Sequence, residues 1–204
     1  MARMARVVAE GVPHHITQRG NDRREAFLLA ADRRFYLETP RAKCGEHGVA
    51  LLGCCLITYH VHRAAIPERD DSFAGALGQT DGRYGSWFNR RYRPSGHLWQ
   101  KRFYSCALGR TDLLGALAYV DLNAVRAGLT ERAGEYEWSS AKAHGAGVES
   151  DALLDGWAGS ELRRASGAEL PFGDDGFVAE MEARAGRELR RRRPGPQPRR
   201  EAES

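Results

Sequence analysis

The chain lacks the features that mark secreted and membrane proteins. None of its apolar runs approaches the length of a transmembrane helix, and its first residues, MARMARVVAEG, contain no continuous apolar segment like that of a signal peptide. Cysteine is scarce, and no CxxC spacing occurs among Cys44, Cys54, Cys55 and Cys106. We therefore expect a cytoplasmic protein with buried thiols rather than disulfides, and zinc ligation by the cysteines is the less favoured alternative.

Lysine is nearly absent, so the positive charge comes almost entirely from arginine. The formal net charge is only +4, but the arginines are clustered along the sequence. A guanidinium can bind a phosphate through two parallel hydrogen bonds and can stack on a base, and lysine does both less well. This composition favours a polyanionic partner.

The hydrophobic pattern predicts strands and helices that alternate within one principal domain. The composition, 42% hydrophobic and 28% charged, is typical of a globular protein. Strands are predicted at 14–19, 49–57 and 60–66, a strand or loop at 97–105, and helices at 30–47, 71–92 and 113–125. The second and third strands are only two residues apart and should pair antiparallel. We therefore expect an α+β fold with one antiparallel sheet.

Glycine, proline and acidic residues mark the turns and helix ends within this pattern. Gly20 begins a turn, Pro40 should kink or shorten the helix that contains it, Asp112 is predicted to cap a helix and Gly128 to end it. The pattern loses its regularity beyond residue 144.

Three regions are therefore expected. Residues 1–144 form the principal domain. Apolar residues at loose helical spacing, Phe177, Met181 and Leu189, predict a helical extension over 145–189. The basic end, 190–204, contains four consecutive arginines and is predicted to be disordered by itself.

The main candidates for a functional site are His60 and His62, which are one residue apart. In a strand their side chains project to the same side, where two neutral imidazoles can bind one metal ion. Tyr119 and Asn123 are four residues apart, so on a helix they share one face. A nucleophile and an oxygen ligand on that face could use the same metal.

Several motifs together resemble the HUH single-tyrosine transposases, most closely the REP-associated tyrosine transposases, which act on repeated extragenic palindromes. They are HHITQRGN at 14–21, HVH at 60–62, WFNRR at 87–91, GHLWQKRF at 96–103, YVDLNAVRAGL at 119–129 and WSS at 138–140. The resemblance spans about residues 11 to 144. Each motif alone is weak evidence, but their number and order make the match strong.

The resemblance implies a ferredoxin-like sheet and a metal-dependent enzyme that cuts and rejoins single-stranded DNA beside hairpins. Tyr119 would be the nucleophile and form a 5′-phosphotyrosine, while His60, His62 and Asn123 would bind magnesium or manganese. Residues predicted to contact DNA are Arg19, Asn21, Arg23, Arg90, Arg91, Trp99, Gln100 and Arg102. The protein would act in the nucleoid as a monomer or a homodimer.

Alternatives remain open at this level. Tyr104 is the rival nucleophile, and Trp99 could seal the core rather than stack on a base. A protein that binds DNA hairpins without cutting them is the second functional hypothesis, and hydrolysis of the phosphodiester by water is the third.

The motif around the histidine pair departs from its relatives at Arg63, where an apolar residue is usual. By strand alternation Arg63 lies on the side of Val61, where burial is expected. A buried guanidinium is costly unless it is paired. Arg63 must therefore find a carboxylate, reach solvent or weaken the fold. Ala124 also stands where relatives usually carry proline, so the helix should continue past Asn123.

Overall fold

The computed structural model describes residues 7–93, 95–145 and 159–189. The order of its first six elements is strand, helix, strand, strand, helix, strand. They are β1 (His14–Arg19), α1 (Ala30–Glu46), β2 (Val49–Ile57), β3 (His60–Pro67), α2 (Gln79–Tyr92) and β4 (Tyr104–Ala107). These bounds confirm β1, α1, β2 and β3 to within one residue, whereas β4 begins only at Tyr104, so most of the predicted strand or loop at 97–105 is loop. A π-helical segment, Ala74–Gly78, leads into α2, so the chain is helical over most of the predicted 71–92.

The four strands form one sheet in the order β2-β3-β1-β4, and every neighbouring pair is antiparallel. With the connections β1-α1-β2-β3-α2-β4, this is the ferredoxin-like arrangement. It confirms the predicted α+β class and the pairing of β2 with β3. Thr58 and Tyr59 alone connect those two strands.

Helices cover both sides of the sheet. Ile16 of β1 and Leu56 and Val61 of the next strands pack on α1 and α2, and we call this side the helix-pair face. On the other side lie α3 (Leu113–Asp121), α4 (Asn123–Arg126) and α5 (Gly159–Ala168), which pack on residues such as Cys55, Ala64 and Cys106. We call this side the histidine face, because strand alternation directs His15, His60 and His62 towards it.

The buried guanidinium of Arg63 is compensated by an ion pair with Asp81. Its side chain lies on the helix-pair face and only 1% of it is exposed. Arg63 Nη2 donates to Asp81 Oδ1 at 2.8 Å, Tyr36 Oη donates to the same oxygen at 2.7 Å, and the guanidinium lies 5.4 Å from the centre of the Tyr36 ring. The predicted carboxylate partner is therefore present, on α2.

Helix α1 runs through Pro40 for 17 residues, so of the two effects expected of this proline, a kink or a shorter helix, the shortening does not occur. Two other local predictions fail. Asp112 occupies the N-cap position of α3, but its side chain makes no capping hydrogen bond. The predicted helix 113–125 is divided at Leu122, although Ala124 allows helical structure to resume as expected. Gly128 does end the segment, with φ of +68° and its N–H bonded to the Val125 carbonyl.

The C-terminal part contributes α5 and α6 (Asp175–Ala185), which bears out the helical character predicted there. Leu162 of α5 packs against Cys106 and Tyr119, and Met181 of α6 packs against Ala9 and Ala107. The predicted disordered tail lies outside the described residues. Within the described ranges, no helix is both long enough and apolar enough to cross a membrane. All four cysteines are free, and three of them are buried.

Candidate active site

A cavity of about 530 Å³ opens on the histidine face, at the end of the sheet where β1 finishes and β3 begins. Its walls come from all four strands, from the segment Tyr119–Ala127 and from the end of α5. Polar and aromatic side chains line it, together with the buried His15 and Ser166: Arg19, His60, His62, Gln100, Tyr104, Tyr119, Asn123 and Arg126. The fold therefore brings the predicted nucleophile and all three predicted metal ligands to one place.

His60 and His62 share the cavity because they alternate with buried Val61 along β3. Their ring centres are 4.5 Å apart. The Nδ1 atom of His60 is buried and has no hydrogen-bond partner. Burial, and then the positive charge of Arg19, lower the pKa of His60 to about 4. At neutral pH this ring is uncharged, which is the form that binds metals.

His15 is a third histidine at the site, and sequence reasoning did not assign it a role. It is fully buried, with its Nε2 atom 3.1 Å from His62 Nδ1 and its Nδ1 atom 2.7 Å from Ser166 Oγ. Burial, and then the nearby His60, lower the pKa of His15 to about 3. The signal that could have found it is the period of two in β1, which places His15 and Arg19 on one side of the strand.

Tyr119 lies against this histidine cluster. Its ring centre is 5.7 Å from that of His62 and 5.6 Å from that of His15, and the residue is only 3% exposed. Asn123 lies one turn further along, where its Nδ2 donates to the Tyr119 carbonyl at 2.7 Å. This bond uses the amide nitrogen, so the oxygen Oδ1 is the atom that Asn123 can offer to a ligand.

Arg126 is a cavity residue that sequence reasoning missed. Its guanidinium carbon lies 5.3 Å from the centre of the Tyr119 ring. It follows Tyr119 by seven residues and Asn123 by three, which is the spacing of one helix face and could have identified it. A cation here favours negative charge on the phenol oxygen or on a bound phosphate.

Two of the residues predicted to contact DNA, Arg19 and Gln100, line the cavity itself. Asn21 and Arg23 are exposed in the short 3-10 helix that follows β1. That turn is joined to the 95–100 segment, because the Asn21 N–H donates to the Leu98 carbonyl and the Gln100 N–H to the Arg19 carbonyl. Gly20 lies between Arg19 and Asn21, where these two hydrogen bonds meet, and a Cβ atom at this position would be only 2.0 Å from the Arg24 carbonyl oxygen. These side chains form a polar and basic rim beside the site.

The other four predicted DNA contacts lie away from the cavity. Arg90 and Arg91 are exposed at the end of α2, which belongs to the helix-pair face. The Trp99 indole N–H donates to the Asp81 carbonyl at 2.8 Å, and its ring packs near Tyr84, so this side chain has a role in the core. Arg102 is exposed and lines a separate, smaller cavity with Trp99.

Tyr104, the rival nucleophile, also lines the cavity, from β4. The register places it opposite Thr17 of β1. Of the two tyrosines, Tyr119 is the one whose ring lies against the histidines, 5.6 Å from His15 and 5.7 Å from His62.

The donor set is compatible with a divalent metal ion, although it is small. In the described part of the chain, no group of three or more His, Cys, Asp or Glu side chains is arranged to hold a metal. A site here would combine two neutral imidazoles with the amide oxygen of Asn123, all of which are ligand types found on divalent ions. The unpartnered, buried Nδ1 of His60 fits such a role.

No protein-family model matches this chain, and no curated protein is significantly similar to it. Among solved structures, it resembles a REP-associated tyrosine transposase bound to a REP hairpin. The TM-score is 0.57 and the identity 18%, over 69% of this chain and 82% of that chain. The chain has the fold of that transposase.

A second solved structure, of a candidate transposase from Deinococcus radiodurans R1, gives a TM-score of 0.41 at 16% identity, over 59% of this chain and 96% of that chain. The first likeness confirms the fold that the sequence motifs implied.

Proposed function

We propose that this protein is a metal-dependent, transposase-like enzyme that nicks and rejoins single-stranded DNA beside hairpins. The observation that carries the proposal is the convergence of Tyr119 with His62, whose ring centres are 5.7 Å apart in one cavity. The two residues come from different elements, α3 and β3, and only the fold brings them together.

His60, His62 and Asn123 would hold magnesium or manganese, and the bound ion would supply positive charge that favours the phenolate and the charge developing on the phosphate. The ordinary pKa of a tyrosine is about 10, so at neutral pH the phenol is mostly protonated and needs such help. Arg126, 5.3 Å from the Tyr119 ring, supplies further positive charge from the protein itself.

Tyr119 would act as the nucleophile. As its phenolic proton leaves, Oη attacks the phosphorus, the bond from phosphorus to the 3′ oxygen breaks, and that oxygen takes up a proton. The products are a 5′-phosphotyrosine and a free 3′-hydroxyl. Attack by a 3′-hydroxyl on the phosphotyrosine reverses the exchange and joins two strands without ATP, because the phosphodiester energy is retained in the covalent bond.

The basic rim would guide the DNA. Arg19 and Gln100 line the cavity, and Asn21 and Arg23 are exposed beside it, so a strand that enters the cavity passes cationic and hydrogen-bonding groups. A duplex would hide the reacting phosphate, which favours a single strand at the site. The hairpin bound by the structural neighbour supports a palindromic element next to that strand.

A non-cleaving hairpin-binding protein is the second candidate. The burial of Tyr119 favours it, because a side chain that is 3% exposed must become accessible before its oxygen can reach a phosphate. The rim would bind DNA equally well in either case.

The deciding experiment uses 3′-labelled single-stranded oligonucleotides that carry a hairpin, with Mn²⁺ or Mg²⁺, followed by a denaturing gel. Oligonucleotides that match inverted repeats flanking the coding region are the first choice. We expect a covalent protein–DNA adduct from the wild type and from Tyr104→Phe, and none from Tyr119→Phe. Tyr104→Phe is the matched control because both phenols line one cavity.

Other outcomes would redirect the assignment. Hairpin binding without any adduct would favour the non-cleaving protein. Cleavage that survives Tyr119→Phe would point to attack by water, and an adduct lost only in Tyr104→Phe would transfer the role of nucleophile to Tyr104.

A further inference from the structure

A series of buried hydrogen bonds connects helix α5, in the C-terminal part of the protein, to the histidine pair. Ser166 Oγ is 2.7 Å from His15 Nδ1, and His15 Nε2 is 3.1 Å from His62 Nδ1. Ser166 is 3% exposed, His15 0% and His62 5%, so the hydrogen bonds among them are largely shielded from bulk water. The three residues come from α5, β1 and β3.

These hydrogen bonds can be donated in either of two directions, and the direction decides which nitrogen of His62 carries the proton. If the Ser166 hydroxyl donates to His15, then His15 Nε2–H donates to His62 Nδ1, and the remaining proton of a neutral His62 is on Nε2. If Ser166 accepts from His15 Nδ1–H, then His62 Nδ1–H donates to His15, and His62 Nε2 has a free electron pair. Only the second arrangement lets His62 bind a metal ion through Nε2.

We propose that Ser166 is a positioning residue: as the acceptor from His15, it fixes the tautomer in which His62 offers Nε2 to a metal ion. This inference rests on the proposed function, because it gives His62 the role of ligand. A histidine ligand commonly has its second nitrogen held by a hydrogen bond that sets the ring orientation and the tautomer. Here the holding group would be another histidine, which is itself directed by a serine from the C-terminal extension.

The surroundings of Ser166 support this direction. A hydroxyl that accepts from His15 can still donate its own hydrogen, and Cys106 Sγ, which directs its own hydrogen to the Ala107 carbonyl at 3.6 Å, is left with the role of acceptor. Cys106 of β4 lies directly opposite His15 in the register of the sheet. Ser166 therefore lies between a sulfur that can accept and an imidazole that can donate.

The tautomer can be measured directly in the metal-free protein. Long-range proton–nitrogen NMR on protein with labelled histidines distinguishes protonation at Nδ1 from protonation at Nε2. We expect His62 to carry its proton on Nδ1 in the wild type and in Ser166→Thr, which keeps the hydroxyl. In Ser166→Ala the population should move towards the Nε2–H form.

Metal binding gives the second readout, with Mn²⁺ as the probe in calorimetric titrations. Loss of the group bonded directly to a histidine ligand commonly weakens metal affinity by about 10- to 100-fold. Ser166 is bonded to His15 rather than to His62, so we expect Ser166→Ala to weaken Mn²⁺ binding by about 10-fold, at the lower end of this range, while Ser166→Thr stays near the wild type. Ser105→Ala is the matched control, because Ser105 Oγ is also buried in the sheet but has no hydrogen-bond partner.

Two results would overturn the inference. One is a wild-type His62 that carries its proton on Nε2, a measurement that needs no variant to fold. The other is a Ser166→Ala protein with unchanged tautomer and unchanged Mn²⁺ affinity. Neither depends on DNA cleavage, so a failure of the proposed cleavage, seen as the absence of an adduct, is distinguishable from a failure of this inference.

Discussion

The two faces of the sheet both bury polar side chains, but they use them differently. On the helix-pair face, Arg63, Asp81 and Tyr36 bond to one another inside an aromatic core. On the histidine face, His15 and His62 are joined, but His60 keeps an unpartnered nitrogen beside a cavity. The same strand, β3, supplies Arg63 to one face and the histidine pair to the other.

The two faces differ in what surrounds their unpartnered polar atoms. A buried polar group without a partner costs folding free energy on either face. The helix-pair face pairs the Arg63 charge with Asp81, although Arg63 Nη1 and Ser105 Oγ are also buried there without a hydrogen-bond partner. On the histidine face, the unpartnered Nδ1 belongs to His60, which lines the same cavity as Tyr119, and this is why the candidate site belongs there.

Breaking the ion pair of the helix-pair face should have the largest effect. We expect Asp81→Asn to lower the free energy of unfolding by about 3–5 kcal/mol, because it leaves the Arg63 charge buried without compensation. Urea denaturation would measure this. Adding Arg63→Met to that variant should restore part of the loss, since the uncompensated charge is then gone.

Asp71→Asn is the matched control for that experiment. Asp71 pairs with Arg69 at 3.3 Å, but the two side chains are 75% and 50% exposed. An exposed pair contributes about 0–1 kcal/mol. Equal losses in Asp71→Asn and Asp81→Asn would contradict the view that the helix-pair face depends on its buried charge.

The histidine face should be sensitive to acid. The pKa of His15 is about 3 in the folded protein and near 6.5 when unfolded. Between these pH values His15 binds a proton in the unfolded chain but not in the folded chain, so the free energy of unfolding falls as the pH falls from 6.5. One such group changes the free energy of unfolding by at most about 1.4 kcal/mol per pH unit.

The variant His15→Phe isolates this contribution. We expect its stability to depend less steeply on pH than that of the wild type between pH 6.5 and 4, as measured by urea denaturation at several pH values. Parallel curves for the two proteins would show that His15 is already protonated in the folded state.

A smaller effect of opposite sign is expected from His144, which lies at the edge of the histidine face. Its Nδ1 donates to Asp121 Oδ2 at 2.7 Å and its Nε2 to the Leu52 carbonyl at 2.8 Å. Burial lowers the pKa of His144, but the hydrogen bond and charge of Asp121 more than offset this, so the pKa is raised.

The stabilisation by His144 is therefore fully present below pH 6.5 and is lost as the pH rises through the raised pKa. In His144→Gln, unfolding measurements above pH 6.5 should show a flatter dependence on pH than in the wild type. The effect is small because the side chain is 32% exposed. An unchanged pH dependence in the variant would show that the charged form of His144 does not contribute to stability.

The prediction of the fold from sequence succeeded where the pattern is local. Strand β2 occupies the predicted range, and the two-residue connection to β3 left only an antiparallel hairpin. The same local reasoning failed at Asp112, and at Pro40 the shortening of the helix does not occur. A proline costs one hydrogen bond within a helix, and the packing of α1 on the sheet outweighs that cost. The cap of a helix depends on a side-chain rotamer, which the sequence does not reveal.

The candidate site was predicted in part. The alternation along β3 and the spacing of Tyr119 and Asn123 depend only on strand and helix geometry, so these groups could be named in advance. Ser166 could not be given a role, because its contact with His15 joins residues 151 positions apart in the chain. Trp99 was named in advance as a DNA contact, but its indole N–H bonds to the Asp81 carbonyl in the core, and no sequence motif indicates that bond.

Sequence by itself thus determined the order of the elements, the face to which each strand residue points and the chemical types available, because backbone geometry repeats over a few residues. Only the tertiary structure decided that Arg63 meets Asp81, that Tyr119 packs on the histidines and that α5 closes the site from behind. Such contacts depend on how the helices pack on the sheet, and packing is a property of the whole chain rather than of any segment.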